Sequence, residues 1–246
     1  MLVHHDAPGT LGHAELRALW RLRTSLLRLK AHVDPELDFE RFSGFVRDAH
    51  VSRVVASDGR ALAMCCHQRV DGEFEGRRYR LAIFEYGFVS PSARRHPSVA
   101  LCLGGQLLAC RSMRPGVHDY MVGIGYPRSV VLLARAVPNL RLDGDPELRP
   151  IERHLLAQAI ERLSGPKFDH ARRVAELPTI PEPIRPDWLA RQANNRLLDA
   201  YLAQCPDWEQ GRALPVIGRL DGSLTTLAGE FVRRLGTSVE RFSLRG

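Results

Sequence analysis

Apolar residues recur at helical spacing over residues 14–30, where Leu16, Leu19, Trp20, Leu22, Leu26, Leu27 and Leu29 alternate with arginines. A second helix is predicted over 38–50, with Phe39, Phe42, Phe45 and Val46 on one face. Gly44 weakens it by about 1 kcal/mol relative to alanine. The pattern then changes to runs that read as strands at 52–57, 61–70 and 78–89. Asp58-Gly59 is a hairpin signal between the first two. Asp71-Gly72 and Gly76 punctuate the second connection. A helix over 97–111, a strand over 120–124 and a helix over 128–137 follow.

Beyond Gly144 the text changes character. Residues 150–163 read as a helix, and the proline-rich run 178–186 as a linker or an extended surface strap. Residues 188–204 read as one helix, and 214–220 as a strand that returns beside the 120–124 strand. Residues 223–235 read as a last helix with Ser223 as its cap. The order predicts an α+β, three-layer fold: a mixed, mostly antiparallel sheet flanked by helices, plus a mainly helical C-terminal extension. The division falls into a core at 14–142 and an extension at 143–246.

Composition narrows the classes of function. Hydrophobic residues make up 44% of the 246, enough for a sizeable core. No run approaches the roughly 18 apolar residues that span a bilayer. The first residues lack the basic flank and apolar stretch of a signal peptide. Together these point to a soluble cytoplasmic protein. Five cysteines form no CxxC pair and read as buried, reduced thiols. The net charge of +7 is almost all arginine and is dispersed along the chain. That distribution argues against a nucleic-acid arm and suits an anionic small molecule or an acidic carrier.

The densest chemistry lies in 80–103, RLAIFEYGFVSPSARRHPSVALCL. A strand feeds an apolar helix through a basic turn, and the first helical N–H groups there lack intrahelical partners. Arg94, Arg95 and His96 add cationic side chains, so a phosphate group suits the pocket. This segment resembles the acyl-CoA-binding core of the GNAT N-acetyltransferase superfamily. The family's pattern is a strand ending in V-x-P, then R/Q-x-x-G-x-G/A, then a helix. Val89, Ser90 and Pro91 match the strand end. The loop fits as Arg95-x-x-Ser98-x-Ala100 or as Arg94-x-x-Pro97-x-Val99, the first with the smaller replacements for glycine. Neither register keeps both glycines, and Pro97 has no amide donor. The element order over 14–142 is also that of the GNAT core.

The resemblance implies an acyltransferase that uses acetyl-CoA or a longer acyl-CoA as co-substrate, with no metal. Two strands would part after the glutamate-bearing strand and admit the pantetheine arm. Phe88 and Val89 would offer it backbone amides. Arg94, Arg95, His96, Ser98, Val99 and Ala100 would hold the pyrophosphate. Glu85, a charge inside an apolar strand, takes the place of the general base for the incoming amine. The alternatives for Glu85 are a solvent-facing position or an ion pair with Arg78 or Arg80. Tyr126 takes the place of the tyrosine beside the leaving thiolate, with Tyr120 as its competitor.

Implied partners are an amine-bearing small molecule or peptide, an acyl carrier protein as a possible donor, and a second copy of the chain. Neither nucleic acid nor a membrane span is expected. The alternative class is a GNAT-like binding or scaffold protein without turnover. Gly123-x-Gly125 lacks the third glycine of a dinucleotide fingerprint and reads as close backbone approach at a strand end. His4-His5-Asp6 reads as a frayed terminus, and His118-Asp119 as a turn. No HExxH, GxSxG or P-loop lysine motif occurs.

Overall fold

The computed structural model describes residues 1–220, apart from Arg95, Met113, Pro138, residues 164–166 and the side chains of Ala100, Leu108 and Ala136. The expected final helix at 223–235 lies outside the described residues. A strand β1 (Leu2–Asp6) opens the chain, followed by α1 (His13–Leu26), β2 (Arg28–Leu29) and α2 (Pro35–Arg47). Next come β3 (His50–Val55), β4 (Ala61–Phe74), β5 (Arg77–Val89), α3 (Pro97–Ala109), β6 (Val117–Gly125) and α4 (Pro127–Ala136). The rest is β7 (Arg141–Leu142), α5 (Pro150–Arg162), β8 (Lys167–Asp169), β9 (Val174–Glu176), β10 (Thr179–Ile180), α6 (Pro186–Ala190), α7 (Arg196–Gln204) and β11 (Arg212–Arg219).

The main sheet runs β1-β3-β4-β5-β6-β11-β9-β8, with β7 also on β11. Among its described pairs only β5 and β6 are parallel. Helices cover both faces. On one, Leu16 and Leu19 of α1, Phe42 and Phe45 of α2 and Leu155 of α5 pack on Leu81, Ile83 and Val122. On the other, Val130 of α4 and Tyr201 of α7 pack on Ala82, Met121 and Val216. Val99 and Cys102 of α3 pack there on Leu62 and Ala63. The fold is therefore the α+β, three-layer arrangement that the pattern of apolar positions predicts. All five cysteines are buried and free.

Several elements depart from expectation for local reasons. β4 runs straight through Asp71-Gly72, and the turn lies at Glu75-Gly76, both at positive φ. Gly72 serves packing instead: a Cβ there would stand 2.5 Å from the Tyr79 hydroxyl, its cross-strand partner. His4, His5 and Asp6 are not frayed, because they belong to β1 along β3. Asp6 pairs with Arg53 at 2.8 Å, and His5 Nδ1 lies 2.7 Å from Ser52 Oγ. The helix expected over 188–204 is two helices. Asn194 at φ 70 breaks it, and the Asn195 side chain caps α7 by accepting from the Leu198 N–H at 3.2 Å.

Inside the sheet, α3 is tied down by a buried polar chain. Gln106 accepts from Ser52 Oγ and donates to the His50 carbonyl at 2.8 Å. Its Nε2 lies 2.7 Å from Nδ1 of the fully buried His67.

Candidate active site

The site is built where β5 leaves β6. Their pairing runs from Arg78 opposite Val117 to Phe84 opposite Gly123 and then stops. Beyond it β5 continues along β4 to Val89, while the end of β6 follows β11 to Gly125. A gap opens between two parallel strands, each leading into a helix. The observed order, helix-helix-three antiparallel strands, then helix, parted parallel strand and helix, is the GNAT arrangement implied by the sequence. The fold is GNAT-like.

No family model matches the chain, and no curated protein matches it. Among solved structures it is similar to a GNAT-family acetyltransferase from Staphylococcus aureus Mu50, at 10% identity and TM-score 0.42, over 60% of this chain and 92% of that one. It is also similar to a conserved protein of unknown function from Enterococcus faecalis V583, described as a probable N-acyltransferase, at 13% identity and TM-score 0.39. That match covers 51% of this chain and 30% of the Enterococcus protein, so it spans less than a third of that protein's length. A third is the GNAT-like decarboxylase GphF in complex with isobutyryl-CoA, at 16% identity and TM-score 0.39, over 89% of this chain and all of that one.

Within the GNAT-like core, a β-bulge decides where Glu85 points. Leu81 and Ile83 face the α1/α2 side, and Ala82 and Phe84 the other. Strict alternation would send Tyr86 to the same side as Phe84. Instead Tyr86 and Phe88 lie on the α1/α2 side. The register shifts between Cys65 and His67, which face Gly87 and Phe84, so Cys66 is opposed by both Glu85 and Tyr86. Such a bulge bends the strand and re-aims a side chain. It leaves Glu85 half-buried at the inner end of the gap. Arg80, one alternative partner, is committed to Asp71 at 2.7 Å and to the Arg111 carbonyl.

Around the bulge stand groups from α1 and α2. The Tyr86 ring packs on Phe42 at 4.9 Å and on Phe45 at 5.6 Å. Burial, and then the adjacent Glu85 carboxylate, push its phenol well above the ordinary range, against the pull of Arg23. The Arg23 guanidinium lies 5.5 Å from the Tyr86 ring and forms a buried ion pair with Asp38. Asp38 also accepts from Trp20 Nε1 at 2.8 Å. Sequence reading missed this pair, although a signal existed. Arg23 follows Leu16 and Leu19 in the apolar stripe of α1, and Asp38 leads the Phe42–Phe45 stripe of α2.

The gap has a directional backbone. The Ser90 N–H donates to the Leu62 carbonyl at 2.8 Å. Alternation turns the Phe88 N–H toward β4 as well, and directs those of Gly87 and Val89 into the gap. Of the two expected amide donors, Val89 faces the gap and Phe88 does not; Gly87 takes its place. Gly123 and Gly125 do mark close approach. A Cβ on Gly123 would stand 3.3 Å from the Phe84 carbonyl, and one on Gly125 would stand 3.3 Å from Ser129 Cβ.

Tyr126 caps α4 and is half-buried against the strap. Its hydroxyl donates to the Thr179 carbonyl at 2.8 Å, and burial pushes its pKa up to about 12. Tyr120, its competitor, sits in the sheet opposite Leu81, away from the gap. In the turn after β5, residues Pro91–Ala93 form a short 3-10 turn. The His96 N–H donates to Ala93, and the Val99 N–H to the His96 carbonyl at 3.0 Å. The Ser98 N–H donates to His96 Nδ1 at 3.2 Å. His96 therefore acts as a helix cap, and these amides are satisfied internally. Arg94 points to Glu182 of the strap at 3.7 Å. Arg95 and the Ala100 side chain lie outside the described residues.

Among the described residues no group of three or more His, Cys, Asp or Glu could hold a metal ion. No described helix is long and apolar enough to cross a membrane.

Proposed function

We propose that this chain transfers an acyl group from a CoA-type thioester to an amine. The observation that carries the reading is the gap between β5 and β6, with the bulged Glu85 at its inner end and the Gly87 and Val89 amides along its wall. The pantetheine arm lies along those amides. The acceptor amine, from a small molecule or a peptide, approaches Glu85. Glu85 takes the amine proton as nitrogen attacks the thioester carbonyl, the C–N bond forms, and the C–S bond breaks. The thiolate is protonated from the Tyr126 side, where a phenol with a pKa of about 12 keeps its proton through the physiological range. The co-substrate is acetyl-CoA or a longer acyl-CoA, or an acyl carrier thioester. A cytoplasmic setting goes with this reading.

Mass spectrometry of purified protein with a panel of acyl-CoA thioesters and amines tests it. Acylated amine and free thiol in equal amounts support transfer, and loss of that product in Glu85→Gln supports the base. A specific observation favours a second reading, a binding protein without turnover. In the turn after β5 the Ala93, His96, Ser98 and Val99 N–H groups are spent on Ser90, Ala93 and His96. Tight thioester binding with no product from any amine would select it.

A further inference from the structure

The strap over residues 178–186 crosses the outer end of the gap. On the β6 side its Thr179 carbonyl accepts from the Tyr126 hydroxyl at 2.8 Å. Three residues further on, Glu182 lies 3.7 Å from Arg94, in the turn after β5. Three extended residues reach about 10 Å, roughly twice the spacing of paired strands. The strap is tied down where it starts. Thr179 and Ile180 of β10 pair with Leu29 and Arg28 of β2, directly after α1. The Lys30 N–H donates to the Pro178 carbonyl at 3.0 Å, and the Leu177 N–H to the Gly211 carbonyl at 2.8 Å. Lys30 Nζ lies 2.9 Å from Glu176. Pro181 and Pro183 stiffen the crossing itself.

Beneath the strap, the α1/α2 face of the gap has apolar walls. Phe88 of β5 and Ile124 of β6 both stand on this face and are half-buried. The carboxylates that the α1–α2 connection and the start of α2 bring to this side are spent. Asp34 caps α2, Glu36 pairs with Arg17 at 2.9 Å, and Asp38 pairs with Arg23. We infer that the acceptor is a small monoamine with an apolar body, and that the strap excludes a peptide chain; the inference rests on the acyl-transfer reading and narrows its acceptor. A peptide laid across the gap needs a groove open at both ends, since four extended residues already span about 13 Å. The strap bars the outer end. A polyamine needs further carboxylates for its other ammonium groups, and those at hand hold arginines. An apolar body instead leaves water against Phe88 and Ile124 as its nitrogen reaches Glu85.

The test offers phenethylamine, spermidine and a lysine-containing heptapeptide singly to the full chain, with acetyl-CoA and with a longer acyl-CoA. Acylated product is quantified by mass spectrometry. The kcat/KM for phenethylamine is expected to exceed that for either other acceptor by about tenfold or more. Phe88→Ala is expected to lower the preference for phenethylamine over ethylamine, which lacks the ring, by about tenfold. Pro181→Gly/Pro183→Gly frees the strap and is expected to raise peptide turnover relative to phenethylamine. Circular dichroism checks the fold of both variants. Spermidine or peptide turned over as well as phenethylamine, or preferences unchanged in both variants, overturns the inference and leaves acyl transfer standing. If no acceptor is acylated, the transfer reading falls, and calorimetric binding of phenethylamine decides the pocket. Binding weakened in Phe88→Ala keeps the pocket, whereas equal or absent binding overturns it.

Discussion

Replacing Glu85 with glutamine keeps the shape of the side chain and removes its basicity. Acyl transfer is expected to fall by about 10²–10⁴-fold, while calorimetric binding of the thioester stays unchanged. A glutamate inside an apolar strand was legible as chemistry. Its direction was not, because period two assumes an unbroken register and the bulge opposite Cys66 breaks it. Arg23 and Asp38 make the same point. Each is visible as a charge within an apolar stripe, yet only the packing of α1 on α2 pairs them. Asp38→Ala leaves Arg23 charged, buried and without its carboxylate. A loss of about 3–5 kcal/mol in urea unfolding is expected. His67 carries a pH signature. Burial, with His50 and nearby arginines, pushes its pKa down to about 3, below the unfolded value near 6.5. The unfolded chain therefore binds the extra proton first, and stability is full above about pH 6.5 and drains as pH falls toward 3. At pH 5 the expected loss from this group is about 2 kcal/mol. Unfolding free energies of wild type and His67→Gln between pH 7 and 5 check it, since the variant should lose that slope.

At the scale of elements, helices were legible because an apolar stripe at period 3.6 needs nothing beyond local sequence. The cap residues confirm it: Asp34 accepts from the Glu36 N–H at 2.8 Å at the start of α2. Glycines misled where their reason was tertiary. Gly72 reads as a turn residue but lies in a strand under Tyr79. Gly211 carries no signal in the sequence pattern, yet its φ of 84 and the nearby Thr179 carbonyl both reject a side chain. That carbonyl is also the acceptor for Tyr126. Gly211→Ala is expected to cost about 1–3 kcal/mol through left-handed strain and displacement of the strap. Thermal unfolding measures that cost, and limited proteolysis within 178–186 is expected to quicken. Tyr126→Phe removes the bond to Thr179 together with the proposed proton donor, and is expected to cost about 1 kcal/mol of stability. Comparing the two variants separates the strap's anchoring by the phenol from its support by Gly211.

Across the whole molecule, β11 and α5 tie the C-terminal region into the same sheet and the same core as the first 142 residues. Val216 and Ile217 of β11 lie against Gly123 and Val122 of β6, and Leu155 and Leu156 of α5 enter the α1/α2 core. A chain cut after residue 142 is expected to lose cooperative unfolding, because it uncovers the β6 edge and leaves that core open. Denaturant melts followed by two spectroscopic probes decide this. The periodicity of the sequence determined the helices, the antiparallel strands, the acid in β5 and the basic turn that follows it. Those signals are local, set by backbone geometry and by which residues avoid water. The tertiary structure alone decided that β5 bulges at Glu85 and that Gly87 rather than Phe88 faces the gap. It also decided that Tyr126 is bound to the strap, and that the strap crosses from there to Arg94. Register, strand parting and the path of the strap depend on partners distant in the chain, and no local pattern encodes them.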